Sequence, residues 1–155
     1  MDLSFHIDKI FEMAIQMEEE GAQFYHDAAR FTEDKEVRGL LEKLSVMEGE
    51  HKTVFEKMRS EVAERSSMFD PSGEGALYLK SVDNSKVFSN KSIDTSSVKE
   101  VFKEAIWREK DTVVFYLGIR LAMTEESSRL KLDKIIEEEM SHVRILSDRV
   151  KQLDA

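Results

Sequence analysis

A shift of 91 residues lays one half of this chain on the other without a gap. Ala14 to Tyr25, "AIQMEEEGAQFY", falls on Ala105 to Tyr116, "AIWREKDTVVFY", with Ala, Ile, Glu, Phe and Tyr at identical places. The same shift carries Phe11 to Phe102, Leu41 to Leu132, Glu48 to Glu139 and His51 to His142. A self-similarity of this length means one supersecondary unit used twice, and it requires whatever fold the chain adopts to pair two copies of that unit.

The unit is a helical hairpin. Apolar residues recur with a 3.6-residue period from about Ser4 to Phe31 (Ile7, Ile10, Phe11, Ala14, Ala22, Tyr25, Ala29) and again from about Asp34 to Arg65 (Val37, Leu40, Leu41, Leu44, Met47, Val54, Phe55, Met58, Val62). Only the polar "TED" separates these two helices, so they must run antiparallel. A third helix starts at Ser97, with Glu100 three positions on in a capping-box arrangement, and continues through Val101, Phe102, Ala105, Trp107, Phe115 and Leu121. After a turn near Thr124 the fourth holds Leu130, Leu132, Ile135, Ile136, Val143, Leu146 and Val150. Between the hairpins, residues 66–96 gather the sole proline, two glycines and many serines, with room for a short helix around Glu74 to Lys80. So long a connection crosses the length of a bundle. The expectation is an all-α antiparallel four-helix bundle in one domain, 1–155, with hairpins at 4–65 and 97–153.

Acids interrupt the apolar stripes at matching places. Glu18 and Glu109 each stand seven residues before a tyrosine, Tyr25 or Tyr116, on the inward face where a leucine is expected. Glu48 and Glu139 each stand three residues before a histidine, His51 or His142, close enough on a helix for both side chains to grip one ion. Glu18 and Glu48 lie 15 residues either side of Glu33, and Glu109 and Glu139 lie 15 either side of Thr124. Equal distance from a hairpin turn is equal height, so six ligand-type side chains converge in one layer. An isolated Glu-x-x-His on an acidic helix is ordinarily a solvated pair; six such residues at a common offset and depth are not. Buried carboxylates cost several kcal/mol each unless they are neutralised. Two divalent cations balance four carboxylates, with two neutral imidazoles completing the set, the pattern of di-iron and di-manganese carboxylate bundles. Such ligands suit iron or manganese alike.

Composition removes the other chemistries. The chain has no cysteine, which excludes disulfides, thiol catalysis, Cys-ligated zinc and iron–sulfur clusters. A formal charge of −9, with no basic cluster, argues against nucleic acid or an anionic membrane surface as partner. No apolar run approaches a membrane span and the N-terminus does not read as a signal peptide, so a cytoplasmic protein is expected.

With the motifs Glu-x6-Tyr and Glu-x-x-His each present twice, the chain resembles the ferritin-like superfamily and, within it, the rubrerythrin-type di-iron carboxylate proteins. The likeness covers both hairpins. By position it implies that Glu18, Glu48, His51, Glu109, Glu139 and His142 are metal ligands and that Tyr25 and Tyr116 hydrogen-bond the ligating carboxylates. It implies two iron ions (manganese being the alternative), reduction of hydrogen peroxide or oxygen, and a homodimer. Two departures stand out. Full-length rubrerythrins add a cysteine-ligated rubredoxin domain that delivers electrons, whereas here an external electron-donor protein is needed. Rubrerythrins also carry a further ligand glutamate where this chain has Thr112.

Three functions compete: a di-iron redox enzyme, a ferroxidase and iron-storage protein of the ferritin type, and a bundle in which metals serve only as structural staples. Among neighbouring residues, Glu19, Glu20 and Glu50 are expected on solvated faces. His26, whose repeat partner is Leu117, reads as structural or surface, and His6 as remote from the metal layer. Trp107 and Met17 read as packing or interface residues, and the apolar Phe69, Leu77, Tyr78, Leu79 and Phe88 as docking the crossover onto the bundle or a second subunit.

Overall fold

The computed structural model of the chain describes residues 3–62, 69–70, 72–83 and 96–154, and within these it is a bundle of five helices with no strand. Helices α1 (Leu3–Phe31) and α2 (Lys35–Val62) form the first hairpin, α4 (Val98–Ala122) and α5 (Glu126–Asp154) the second. A short α3 (Glu74–Asp83) lies in the crossover, three residues longer than the Glu74 to Lys80 expected from sequence. The expected extension of α2 to Arg65 falls outside the described residues.

Local chemistry fixes the helix starts. Asp34 opens α2 by accepting from the backbone N–H groups of Glu36 and Val37 at 2.9 and 3.2 Å, and Arg38 ties back to the Thr32 carbonyl at 2.7 Å. Ser97, in extended backbone, caps α4 by accepting from the Glu100 N–H at 3.1 Å, as its sequence position anticipates. These caps satisfy donors that the first helical turn leaves orphaned.

Two apolar clusters fill the bundle. One joins Ile7, Phe11 and Ala14 of α1, Phe55 and Met58 of α2, Phe115 and Ile119 of α4, and Leu132 and Ile136 of α5. The other joins Phe24, Ala28, Leu41, Leu44, Val101, Phe102, Ala105 and Leu146. The first lies at the start of α1 and the turn between α4 and α5; the second lies at the turn between α1 and α2 and the start of α4. Helices α1 and α5 therefore run one way and α2 and α4 the other, and the connection from α2 to α4 must travel the bundle's length. Phe69 and Met123 form an isolated antiparallel bridge beside the C-terminal end of α4, and the Phe69 ring packs edge-on to Phe11 with centroids 5.9 Å apart. Ala76, Leu79 and Val82 of α3 then join the first cluster. The crossover docks on the bundle through this half; Phe88 lies outside the described residues.

Helix α3 approaches α4 at two glycines. A Cβ on Gly75 would sit 2.7 Å from the Gly118 carbonyl oxygen, and one on Gly118 would sit 2.6 Å from the Tyr78 ring. Helix α4 is apolar on more than its inward face: Trp107, Val114, Leu117 and Leu121 are exposed while Phe115 and Ile119 are buried. Leu121 and Leu130, expected in the core from periodicity, lie on the surface; for Leu121 the reason is that a helix with two apolar faces offers no periodic signal that tells them apart.

Candidate metal centre

Between the two apolar clusters lies the layer that the spacing predicts. Glu18 of α1, Glu48 and His51 of α2, Glu109 of α4, and Glu139 and His142 of α5 are each at most 4% exposed, so none draws useful solvation from bulk water. They come together as two overlapping sets: Glu18, Glu48, His51 and Glu139 in one, and Glu48, Glu109, Glu139 and His142 in the other. Within each set, one ligand atom per residue lies within 4.8 Å of the rest. Glu48 and Glu139 belong to both.

Both imidazoles turn Nδ1 into the layer. His51 Nδ1 lies 2.6 Å from Glu139, 3.6 Å from Glu18 and 3.7 Å from Glu48. His142 Nδ1 lies 3.4, 3.5 and 3.6 Å from Glu109, Glu139 and Glu48. The rings lie nearly parallel, 6.1 Å apart at their centroids. Each hairpin also steadies the other's glutamate, since Tyr25 donates to Glu109 Oε1 and Tyr116 to Glu18 Oε1, both at 2.5 Å.

Whether these residues suit metal ions can be judged from the polar atoms they leave over. His51 Nδ1, His142 Nδ1, Glu18 Oε2 and both oxygens of Glu139 are buried without an aligned hydrogen bond, close as His51 Nδ1 and Glu139 stand. Unsatisfied buried groups of this kind are costly and rare, and five of them in one layer form a donor set matched to cations. Without cations the layer is neutralised by protons. Burial, reinforced by Glu48, pushes Glu18 and Glu109 well above the usual carboxylate range. Glu48 and Glu139 are held low despite burial, because they sit among protonated neighbours. The neighbouring carboxylates outweigh burial at His142 and lift it to about 11, and they lift His51 further. Four such protons hold the places that two divalent charges would take.

The other residues singled out by sequence are not brought to the layer. Glu19, Glu50 and His26 are exposed, Glu20 is half-buried and accepts from Gln16 at 3.1 Å, and the His6 side chain lies outside the described residues. Trp107 is exposed and Met17 is half-buried against the first cluster. Thr112, in place of a further glutamate, spends its hydroxyl on the Arg108 carbonyl. One neighbour has no local sequence signal at all: Glu138 of α5 lies 2.6 Å from Nε2 of His51. The repeat gives no hint of it either, since it aligns Glu138 with Met47.

No helix among the described residues is long and apolar enough to cross a membrane. The backbone matches the crystal structure of a Thermotoga maritima protein described as a ferritin-like diiron-carboxylate protein, at a TM-score of 0.67 and 20% identity over 94% of each chain, a likeness of fold. Among curated proteins nothing matches. The family model Rubrerythrin matches residues 9–149, nearly the whole bundle and all six residues of the layer, and the chain belongs to that family.

Proposed function

We propose that the protein is a di-iron carboxylate redox protein that reduces hydrogen peroxide, or oxygen, to water with electrons from a separate donor protein. The observation that carries this reading is the sharing of Glu48 and Glu139 between two donor sets, each completed by one further glutamate and one histidine. In it, Glu18 and His51 would hold one iron and Glu109 and His142 the other, with Glu48 and Glu139 available to both. Two bound iron ions would supply Lewis acidity and the two electrons that each peroxide consumes together with two protons. Manganese is the alternative metal for the same ligands.

The chain's own residues do the rest. Tyr25 and Tyr116 fix the orientation of Glu109 and Glu18. The apolar clusters on either side keep bulk water from the layer. A homodimer and a cytoplasmic location belong to the same proposal, the dimer being supported by the exposed apolar face of α4.

The test is to load the metal-free protein anaerobically with two ferrous ions per chain and follow visible absorbance after mixing with stoichiometric peroxide or, in parallel, with oxygen. Faster oxidation by peroxide is the expected result. Faster oxidation by oxygen, together with a cage-sized particle in light scattering, turns the reading to iron storage. Failure to load, or no response to either oxidant, overturns the redox proposal.

A further inference from the structure

The repeat that pairs the six residues of the layer also pairs the residues just before the shared glutamates: Met47 precedes Glu48, and Glu138 precedes Glu139. Each reaches across the bundle to the other hairpin's histidine. Glu138 Oε2 lies 2.6 Å from His51 Nε2, and Met47 Sδ lies 3.4 Å from His142 Nε2. In both rings Nε2 is the nitrogen turned away from the layer, since Nδ1 faces the carboxylates. The two halves thus match at all six ligand-type positions and differ in what holds the back of each ring.

That difference is large in chemical terms. An imidazole that binds a cation through Nδ1 keeps its proton on Nε2 and must donate it. A carboxylate accepts that proton in a charge-assisted bond, which fixes the ring's orientation and makes Nδ1 a better electron donor. A thioether is a weak acceptor and does little of either. Glu138 also brings a negative charge close to one end of the layer, and at 32% exposure it keeps part of its own hydration.

We infer that Glu138 makes the two metal positions unequal, so that the position built on His51 holds its ion more tightly than the position built on His142. Glu138 is a positioning residue, acting on the ion through the ring. The inference rests on the two-metal reading above and deepens it.

Cobalt(II), whose visible bands report binding, is the probe for an anaerobic titration of the metal-free protein. Wild-type protein is expected to bind two ions per chain in two resolved steps. Glu138→Gln keeps the side chain's size and an acceptor oxygen but removes the charge, and it should weaken the first step about 10–100-fold while leaving the second unchanged. Met47→Glu supplies the missing carboxylate to His142 and should tighten the second step. Unresolved wild-type steps overturn the inference, as does a Glu138→Gln protein in which neither step moves or both weaken alike, the mark of a merely structural role. Should Glu138→Gln fail to fold by circular dichroism, Met47→Glu decides, since an unmoved second step sinks the idea. Fewer than two ions bound by wild-type protein would instead bring down the two-metal reading itself.

Discussion

Tyr116 and Tyr25 each donate a short, buried hydrogen bond to a glutamate of the opposite hairpin. Burial first, then the accepting carboxylates, raises both phenols well above their usual range, so they remain donors at neutral pH. Tyr116→Phe keeps the ring and opens no sizeable cavity, but leaves Glu18 Oε1 without its donor. Metal affinity should fall about 10–100-fold, measured by competition with a chelator. The shared and unshared glutamates predict a second contrast. Glu18→Ala removes a donor from one set and should leave about one ion per chain by elemental analysis, whereas Glu139→Ala strips both sets and should leave less than that. The six residues of the central layer are legible in the sequence because helix spacing and distance from a turn are local quantities. The Glu138 contact with His51 is not, because it joins residues 87 apart on helices whose relative rotation no single helix encodes.

At the scale of helices, the two hairpins, the Ser97 cap and a helix in the crossover follow from periodicity and turn chemistry, which act within a few residues. The close docking of α3 on α4 does not, for it depends on the glycines that let the two helices meet. Those glycines and Gly39 should respond oppositely to the same substitution. A Cβ at Gly39 meets nothing within 4 Å, and the position is an exposed helix interior, so Gly39→Ala should stabilise by about 0.5–1 kcal/mol. At Gly75 the new Cβ would meet the Gly118 carbonyl, Leu121 Cβ and the Ala122 backbone nitrogen, all at or under 2.9 Å. Backbone cannot swing aside as a side chain can, so Gly75→Ala should destabilise by about 1–3 kcal/mol. Thermal melts of the two variants should move in opposite directions from wild type, by a few degrees for each kcal/mol. A Gly75→Ala melt that matches wild type would show that the close crossing does not hold α3 in place.

Two properties belong to the whole molecule. The exposed stripe Trp107, Val114 and Leu121, spaced at seven residues along α4 with Leu117 beside it, is the face on which the proposed homodimer would close. Val114→Lys with Leu121→Lys should preserve the helical spectrum and lower the mass seen by light scattering from a dimer to the 18.0 kDa chain. The second property couples stability to pH through the charges of the central layer. In the metal-free protein Glu18, Glu109, His51 and His142 bind protons more tightly folded than unfolded. Each contributes stability that is complete below its unfolded pKa and is lost as pH rises through its folded one. For His142 that loss begins above 6.5 and runs to about 11. Glu48 and Glu139 have the opposite sign, but their stabilisation is lost only as pH falls below the ordinary carboxylate range. Above neutrality the first group governs, and the metal-free melting temperature should decline from about pH 6 to about pH 9. Bound cations reverse the sense, because loading displaces those protons and becomes more favourable as pH rises. Melts at both pH values, in chelator and with two ferrous ions per chain under anaerobic conditions, should show a metal-dependent gain that widens with pH. A gain that narrows over that range would mean that the buried protons and the metals do not compete for the same carboxylates and imidazoles.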